Sequence, residues 1–356
     1  MTRYPPTSLR RWWAPSPQAP WIYRRRAPIG VAFAFALAIL TVVPRAEAGV
    51  SIVVTRTGVQ THGSVTTTSS TIGWLLTCGL SHRLPDDPIT APGKPGGAHL
   101  HDFTGNASTT ATSTLKSMED PANNTASDSY HASSPAQGTS CDLSTFAPGT
   151  AGDTAAYWRP TLYANGMPVT PTVKDQLYYR AKPLFGTGFQ PIPQDARLIV
   201  GSHAATSIDT NPALVDGHLY WECHGDTNTH YQLPPSNCGS ILENVVFPSC
   251  WDGRAMDHAG PHGTDNERFA YAVGGACPAG FSVKVPQLSE KFKYDNIPAG
   301  AKLTFSADPG TTDLMPSYTA HADFWNTWNP VALQYLVSKC INAQISCGTN
   351  PITPLA

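Results

Sequence analysis

The sequence has few charged residues and none of the short motifs that identify the commonest enzyme classes. Only 13% of the residues are charged, and 33 prolines and 29 glycines are spread along the chain, which favours turns and short strands over long helices. It contains no nucleophile elbow, phosphate-binding loop or dinucleotide fingerprint, and no serine stands in a context that suggests a Ser-His-Asp triad. The enzyme classes built on these motifs are therefore disfavoured.

An apolar run long enough to span a bilayer is also missing. The run from Ile29 to Val43 has 15 residues, whereas a membrane-spanning helix needs roughly 20. Arginines precede this run and Ala46-Glu47-Ala48 follows it, an arrangement typical of a secretory signal peptide. We therefore predict a signal peptide over residues 1–48, cleavage after Ala48 and a secreted mature protein, with the export route left open.

Basic residues are scarce after the predicted cleavage site. Removal of residues 1–48 takes away seven arginines and one glutamate, which leaves 16 basic and 24 acidic residues and a net charge of −8 with histidine neutral. This composition argues against nucleic acid and anionic membranes as partners. Because the remaining 308 residues show no repeat and no linker, we predict a single domain over residues 49–356.

All eight cysteines lie in the mature part of the chain. An even number in an exported protein indicates four disulfides. A cysteine metal site is disfavoured because no C-x-x-C pair occurs and the spacings do not suit zinc. Many pairings are compatible with the sequence, and we predict the sequential one. The predicted pairs are Cys78–Cys141, Cys223–Cys238, Cys250–Cys277 and Cys340–Cys347.

Short apolar runs bounded by turn residues predict a mainly β fold. One helix is predicted near the C-terminus, where Asn329 can cap it and Pro330 suits its first turn. Residues 107–140, rich in serine and threonine, are predicted to form a long surface loop. We predict a disulfide-stapled β-sandwich or jelly-roll-like domain with long loops and a C-terminal helix. The predicted strands are 50–55, 156–163 before the Asn165-Gly166 turn, 177–180, 196–201, 218–223, 241–247, 281–285, 291–294 and 302–306.

The glycine-bounded stretch from Gly96 to Asn106 is dense in polar side chains. In an extended segment His99 and His101 lie on one face, and His321 and Asp323 have the same spacing. Brought together, the two pairs would supply three imidazoles and a carboxylate, a set that suits zinc, copper, nickel, manganese or iron. We predict one divalent transition metal at these four residues. The alternative is that they form a structural network of hydrogen bonds.

Paired carboxylates occur near an aromatic ring further along the chain. Asp252 and Asp257, with His262 beyond them, are candidate catalytic residues, because a glycosidase uses one protonated and one ionised carboxyl group. The alternative is structural. Asp252 precedes a glycine, as in a common turn, and Trp251 follows a cysteine, where it could pack against a disulfide.

Four side chains are candidate substrate-binding residues. Trp251 and Trp325 offer flat faces on which sugar rings could stack. Arg159 could bind a carboxylate or pair with one of the chain's own acids, and Asn106 lies close to the histidine pair in sequence. These residues predict an extracellular polysaccharide or cell-wall glycan as the partner.

Six segments spread over the chain give a more specific signal. They are Asp87-Pro88-Ile89, His99-Leu100-His101-Asp102-Phe103 with Gly105-Asn106, Tyr157–Tyr163, Phe247–Gly253, Cys277-Pro278 and His321-Ala322-Asp323-Phe324. With them the chain resembles the DUF1996 family of secreted bacterial and fungal proteins over residues 78–341. The resemblance implies an extracellular protein without an assigned function, and some fungal members carry carbohydrate- or wall-associated modules. Two histidines of the family pattern are absent, near Arg268 and after Pro278.

Two functional interpretations follow. The first is a secreted enzyme, a glycan-active hydrolase or lyase, that acts on extracellular polysaccharide or cell-wall glycan through a cleft lined by histidine and aspartate, with a bound metal. The second is a non-catalytic extracellular structural or carbohydrate-binding protein whose histidine and aspartate clusters are structural. Residue spacing does not choose between them, and neither would the fold alone.

Overall fold

The computed structural model describes residues 72–119, 138–142, 153–223, 229–230, 238–308 and 318–351. The predicted signal peptide, the predicted strand at 50–55 and residues 120–137 of the predicted surface loop lie outside these ranges. The strands are β1 (Gly73–Cys78), β2 (Leu80–Leu84), β3 (His101–Gly105), β4 (Ala156–Pro160), β5 (Leu162–Ala164), β6 (Met167–Pro168), β7 (Asp175–Arg180), β8 (Arg197–Gly201), β9 (Leu219–Cys223), β10 (Thr229–His230), β11 (Ile241–Val246), β12 (Cys250–Trp251), β13 (Phe269–Ala270), β14 (Val283–Lys284), β15 (Gln287–Tyr294), β16 (Leu303–Phe305), β17 (His321–Trp325) and β18 (Ser346–Thr349). The α-helices are α1 (Leu115–Glu119), α2 (Pro212–Val215) and α3 (Pro330–Leu336).

Two large sheets organise the described residues. One has seven strands in the order β10-β9-β11-β15-β7-β1-β18, and the other has five in the order β2-β3-β4-β17-β8. Neighbouring strands are antiparallel except β1 and β18, which are parallel. Two three-stranded sheets, β13-β12-β14 and β16-β5-β6, complete the architecture. Each strand predicted within the described residues overlaps an observed one, and the mainly β fold is confirmed.

The two large sheets face each other across the main hydrophobic core. Tyr157 and Phe324 from the five-stranded sheet and Leu177 and Phe292 from the seven-stranded sheet are fully buried in it. Burial of each such side chain stabilises the fold by roughly 1.5–3 kcal/mol. A hydrogen bond of 2.6 Å between the hydroxyl groups of Tyr157 and Tyr179 also links the sheets. The arrangement is therefore a β-sandwich.

The five-stranded sheet is covered on its other face as well. A second core, smaller than the first, packs Phe103, Trp158 and Trp325 against two residues from other segments. These are Ile89, from the loop after β2, and Met118, from α1. As a result β3, β4 and β17 are buried at every position. In contrast, β15 alternates strictly between half-buried and buried residues. Of these two patterns, only alternation produces the period of two that identifies a strand in a sequence.

Four disulfides join Cys78–Cys141, Cys223–Cys238, Cys250–Cys277 and Cys340–Cys347. The predicted sequential pairing is confirmed. The first closes the longest loop, with a sequence separation of 63 residues, and the last ties the end of the helical segment to β18. Closing a loop restricts the unfolded chain, and typical disulfides stabilise a fold by about 2–4 kcal/mol.

The predicted C-terminal helix forms where its capping residues stand. The Asn329 side chain accepts hydrogen bonds from the backbone amides of Val331 and Ala332, and proline occupies the first helical position. Leu333 and Leu336 are buried against the main core. No helix in the described ranges is long and apolar enough to cross a membrane.

The predicted surface loop begins with a folded segment. Residues 107–119 include α1, and Met118 of that helix is buried in the second core. Ala111 is also buried, and its amide donates to Oδ2 of Asp86 at 2.9 Å. This segment therefore covers the outer face of the five-stranded sheet, next to the polar site described below.

Candidate metal site

The topology of the five-stranded sheet brings together histidines that are far apart in sequence. β3 and β17 both pair antiparallel with β4, so they run in the same direction and begin at the same end of the sheet. His101 is the first residue of β3, and His321 is the first residue of β17. His99 precedes β3 by two residues, which places it beside His101.

Three histidines converge at this end of the sheet. The ligand atoms of His99, His101 and His321 all lie within 4.8 Å of one another. The ring centroids are 4.1 Å apart for His99 and His101, 5.0 Å for His99 and His321, and 5.8 Å for His101 and His321. His101 and His321 are buried, whereas His99 is half-buried. The cluster thus lies just beneath the surface.

Hydrogen bonds fix the orientation of the two buried rings. Nδ1 of His101 donates to the carbonyl oxygen of Asp86 at 2.9 Å, and Nδ1 of His321 donates to that of Thr319 at 2.7 Å. Because a carbonyl oxygen only accepts, Nδ1 carries the proton in both rings, and Nε2 keeps its lone pair. Nε2 of His99 and Nε2 of His101 are buried and have no hydrogen-bond partner among the described residues. Histidines that bind metals commonly have their second ring nitrogen held in this way.

The histidines are held in their neutral form. Burial, with smaller contributions from His101 and His203, lowers the pKa of His99 to about 2. Burial also lowers the pKa of His101 and of His321 well below the usual value, and the neighbouring histidines lower both further. Neutral imidazole is the form that coordinates a metal, so no proton has to be displaced on binding.

Asp323 lies beside the cluster, close to His321. It is fully buried, and neither carboxyl oxygen has a partner among the described residues. Its Oδ2 is 3.8 Å from Nε2 of His321. Burial, and then the charges of Asp87 and Glu290, raise the pKa of Asp323 well above the usual value. A nearby cation would favour the ionised carboxylate.

His203 was not identified from the sequence. It follows β8, whose last residue, Gly201, pairs with His321 of β17. Its ring centroid is 6.1 Å from that of His99, 5.9 Å from that of His321 and 6.1 Å from that of His262. A short motif could not reveal it, because only the pairing of β8 with β17 brings it to the site. His262, predicted as catalytic, lies at the outer end of this row.

The predicted catalytic carboxylates bind arginines instead. Burial acts to raise the pKa of Asp252, but hydrogen bonds from Arg254 and Arg268 outweigh it and lower that pKa. Asp257 is exposed, and its pKa is lowered first by the hydrogen bond from Arg268. Among the described residues, no hydrogen bond or ion pair joins either aspartate to the three histidines. The catalytic role stays a prediction, and neither carboxyl has the raised pKa of a glycosidase acid.

Of the two predicted sugar-stacking rings, one is inaccessible. Trp325 is fully buried, and its Nε1 donates to Oδ1 of Asp195 at 2.6 Å. Trp251 is half-buried, and its Nε1 donates to the carbonyl oxygen of Arg254 at 2.9 Å. Trp325 therefore has a structural role in the second core.

The other two predicted substrate-binding residues are also buried. Arg159 faces the main core and donates to Oδ2 of Asp175 at 3.0 Å. Nδ2 of Asn106 donates to the carbonyl oxygens of Met118 at 3.1 Å and Thr154 at 2.8 Å. Both side chains therefore form hydrogen bonds that link separate segments of the chain within the fold.

The fold and the site together define a class: a disulfide-linked β-sandwich with a histidine cluster at one end of its five-stranded sheet. The model of the family described as "Domain of unknown function (DUF1996)" matches residues 87–328, and the chain belongs to this family. The matched range includes the three clustered histidines, Asp323 and His203. Neither the curated proteins nor the solved structures contain a match.

Proposed function

We propose that the protein binds one divalent transition metal ion through His99, His101 and His321, and that this ion is its functional centre. The observation that carries the proposal is the convergence of the three ligand atoms within 4.8 Å of one another. The tautomers also support the proposal, because Nδ1 of His101 and Nδ1 of His321 each donate a hydrogen bond to a carbonyl oxygen. The remaining lone pairs need a shared cation or separate donors, since buried nitrogen atoms without partners are costly.

The chemistry of the ligands favours zinc, copper or nickel. Imidazole suits these ions, whereas calcium and magnesium prefer a shell of oxygen atoms. Asp323 supplies the negative charge that offsets part of the charge of the ion, with Oδ2 placed 3.8 Å from Nε2 of His321. In this role the carboxylate stabilises the bound ion without being one of the three ligands.

Three histidine ligands leave a coordination position open, as in catalytic zinc sites. His99 is half-buried and His203 is exposed, so the open position faces the surface. A metal ion at such a position supplies a Lewis acid and an activated water molecule. The reaction class that we propose is therefore metal-assisted hydrolysis.

The substrate class that we propose is an extracellular polysaccharide or cell-wall glycan. Four disulfides support an oxidising, extracellular setting. The side chains around the opening, His203 and His262, are polar and exposed, which suits a hydroxyl-rich ligand better than an apolar one. The second candidate is an extracellular protein that binds the same ligand without cleaving it, and the glycan test below separates the two.

Metal binding is tested by calorimetric titration of the purified mature protein with Zn²⁺ after removal of metal. We expect tight binding by wild type and a loss of more than about 100-fold in affinity for His321→Ala. Loss of a side chain that only orients a metal ligand costs roughly tenfold to 100-fold, and loss of the ligand itself should cost more. The matched control is His218→Gln, since His218 stacks on Tyr271 with ring centroids 3.4 Å apart and is half-buried. Equal affinities for wild type and His321→Ala would contradict the proposal.

The functional role of the ion is tested on a panel of wall glycans with metal-loaded and chelated protein. Soluble products formed only by the loaded protein would support the hydrolase. Metal-dependent retention on a glycan without product would support the binding protein. Identical behaviour of loaded and chelated protein in both assays would contradict the ion as the functional centre.

A further inference from the structure

Two histidines at the mouth of the site have rings that lie next to other histidine rings. His203 and His262 are exposed, and their ring centroids are 6.1 Å apart. Within the part of the chain that the structure describes, no hydrogen bond or ion pair engages either ring. His203 lies between the inner cluster and His262, at 5.9 Å from His321 and 6.1 Å from His99.

A close approach of two strands fixes the position of His203. Gly201 adopts a φ of +99°, and a Cβ there would lie 2.3 Å from the carbonyl oxygen of Ala320 and 2.7 Å from Cα of His321. Only glycine allows β8 to end this close to β17. The chain then continues for two residues to His203, whose backbone is therefore held beside the inner cluster.

The loop that carries His262 is anchored to the same strand. The amide of Asp265 donates to the carbonyl oxygen of Arg197 at 2.8 Å, and Oδ2 of Asp265 accepts from the amide of Arg197 at 3.0 Å. His262 has a φ of +60°, which is uncommon for a residue other than glycine. Non-glycine residues in this region are costly and concentrate at functional sites. The fold thus holds an exposed imidazole at a strained position.

A second histidine of this loop provides an internal comparison. His258 also has a positive φ, of 51°, but both of its ring nitrogens are used. Nδ1 is 2.9 Å from Oδ2 of Asp265, and Nε2 is 2.9 Å from Oδ2 of Asp195. Its role is accounted for by these contacts. His262, four residues later, has no such partner in the described ranges, so its ring nitrogens are available to a ligand.

We propose that His203 and His262 form a second, outer metal position at the mouth of the histidine cluster. Two imidazoles on neighbouring, anchored segments can hold a borderline ion such as zinc or copper(II), with water completing the coordination. The outer ion has fewer protein ligands than the inner one and is more exposed, so it binds more weakly. Placed beside the inner position, it would make a two-ion centre, an arrangement that clamps both the attacking and the leaving oxygen in hydrolysis.

The number of bound ions tests this second position. In titrations of the full mature protein with Zn²⁺, we expect wild type to bind two ions, one tightly and one at least about tenfold more weakly. His203→Ala and His262→Ala should each bind only the tight ion, and the control His218→Gln should bind two. Melting temperatures in chelator should be unchanged by these surface substitutions, which shows that the variants fold.

The possible outcomes distinguish failure of the outer metal position from failure of the inner metal site. One tight ion in wild type, unaffected by either variant, would overturn the outer position and leave the inner site intact. No binding at all would overturn both. A weaker tight site in His203→Ala, with His262→Ala unchanged, would make His203 a ligand of the inner ion and overturn the second position. With Cu²⁺, spin–spin broadening of the electron paramagnetic resonance signal that disappears in each variant would support it.

Discussion

The two faces of the five-stranded sheet carry two different buried polar clusters. At one end of the sheet, histidines and Asp323 gather just beneath the surface. On the face that meets the seven-stranded sheet, Arg159 contacts Asp175 and the hydroxyl of Tyr294, which in turn donates to Glu243. Both clusters contain buried polar atoms that have no hydrogen-bond partner in the part of the chain that the structure describes. They differ in the effect of burial on protonation: Glu243 and Glu290 are favoured in the protonated form, and the clustered histidines in the unprotonated form.

In the interior cluster, protonation removes the buried charge of two carboxyl groups. Burial raises the pKa of Glu243 to about 8 and that of Glu290 well above the usual value, so burial favours the neutral form of both carboxyls. Burial acts to lower the pKa of Arg159, but Asp175 and the other nearby acids raise it overall. Burial and mutual repulsion disfavour the protonated form of the histidines, so their buried lone pairs remain available to a cation. The comparison indicates that the cluster around Arg159 is a structural network and that the histidine cluster is a cation site.

We expect the largest loss of stability when the positive charge of Arg159 is removed from the interior cluster. Arg159→Met removes the positive charge next to Asp175 and leaves its carboxylate buried without a counter-ion. Breaking a buried ion pair by removing one partner typically costs about 3–5 kcal/mol. Urea unfolding in chelator should show this loss in the free energy of unfolding. A change below about 1 kcal/mol would show that the network tolerates the missing charge, contrary to the comparison.

The second prediction concerns Asp323. Asp323→Asn keeps the shape but removes the charge next to His321, so Zn²⁺ affinity should fall about tenfold, the range found for groups that support ligands. Stability without metal should be unchanged or higher, because the raised pKa shows that burial disfavours the carboxylate. Asp252→Asn is the control, since Asp252 pairs with Arg254. Lower stability with unchanged affinity would make Asp323 structural.

The smallest effect, counted per pH unit, is a slope of stability with pH. The pKa of Glu243 is about 8 in the folded protein and 4.5 in an unperturbed side chain. The folded state therefore keeps a proton that the unfolded state releases, and this contribution is complete below pH 4.5 and lost as pH rises to about 8. Glu243→Gln should reduce the decline over this window by at most about 1.4 kcal/mol per pH unit. Parallel wild-type and variant curves, measured in chelator, would refute the assignment.

Local patterns in the sequence predicted much of the fold. Strand β15 alternates along its length, and Asn329 followed by proline marks the start of α3. The disulfides join cysteines that are neighbours in sequence order, which is the simplest of the pairings. In the site, the equal spacing of the His99–His101 and His321–Asp323 pairs was informative, because both pairs lie at the start of a strand in the same sheet.

What the sequence could not give depends on contacts between distant segments. β17 is buried on both faces, so its residues do not alternate and no strand was predicted there. The burial of Trp325 and Arg159 follows from a second core and an interior network that no local pattern encodes. His203 joins the site only because β8 pairs with β17.

The most direct test of the central claim is the zinc X-ray absorption spectrum of protein loaded with one equivalent of Zn²⁺. The histidine cluster predicts three imidazole nitrogens at about 2.0–2.1 Å from the ion, with fewer in His321→Ala. A coordination shell of oxygen atoms without imidazole, or a spectrum that His321→Ala leaves unchanged, would contradict a metal site formed by His99, His101 and His321.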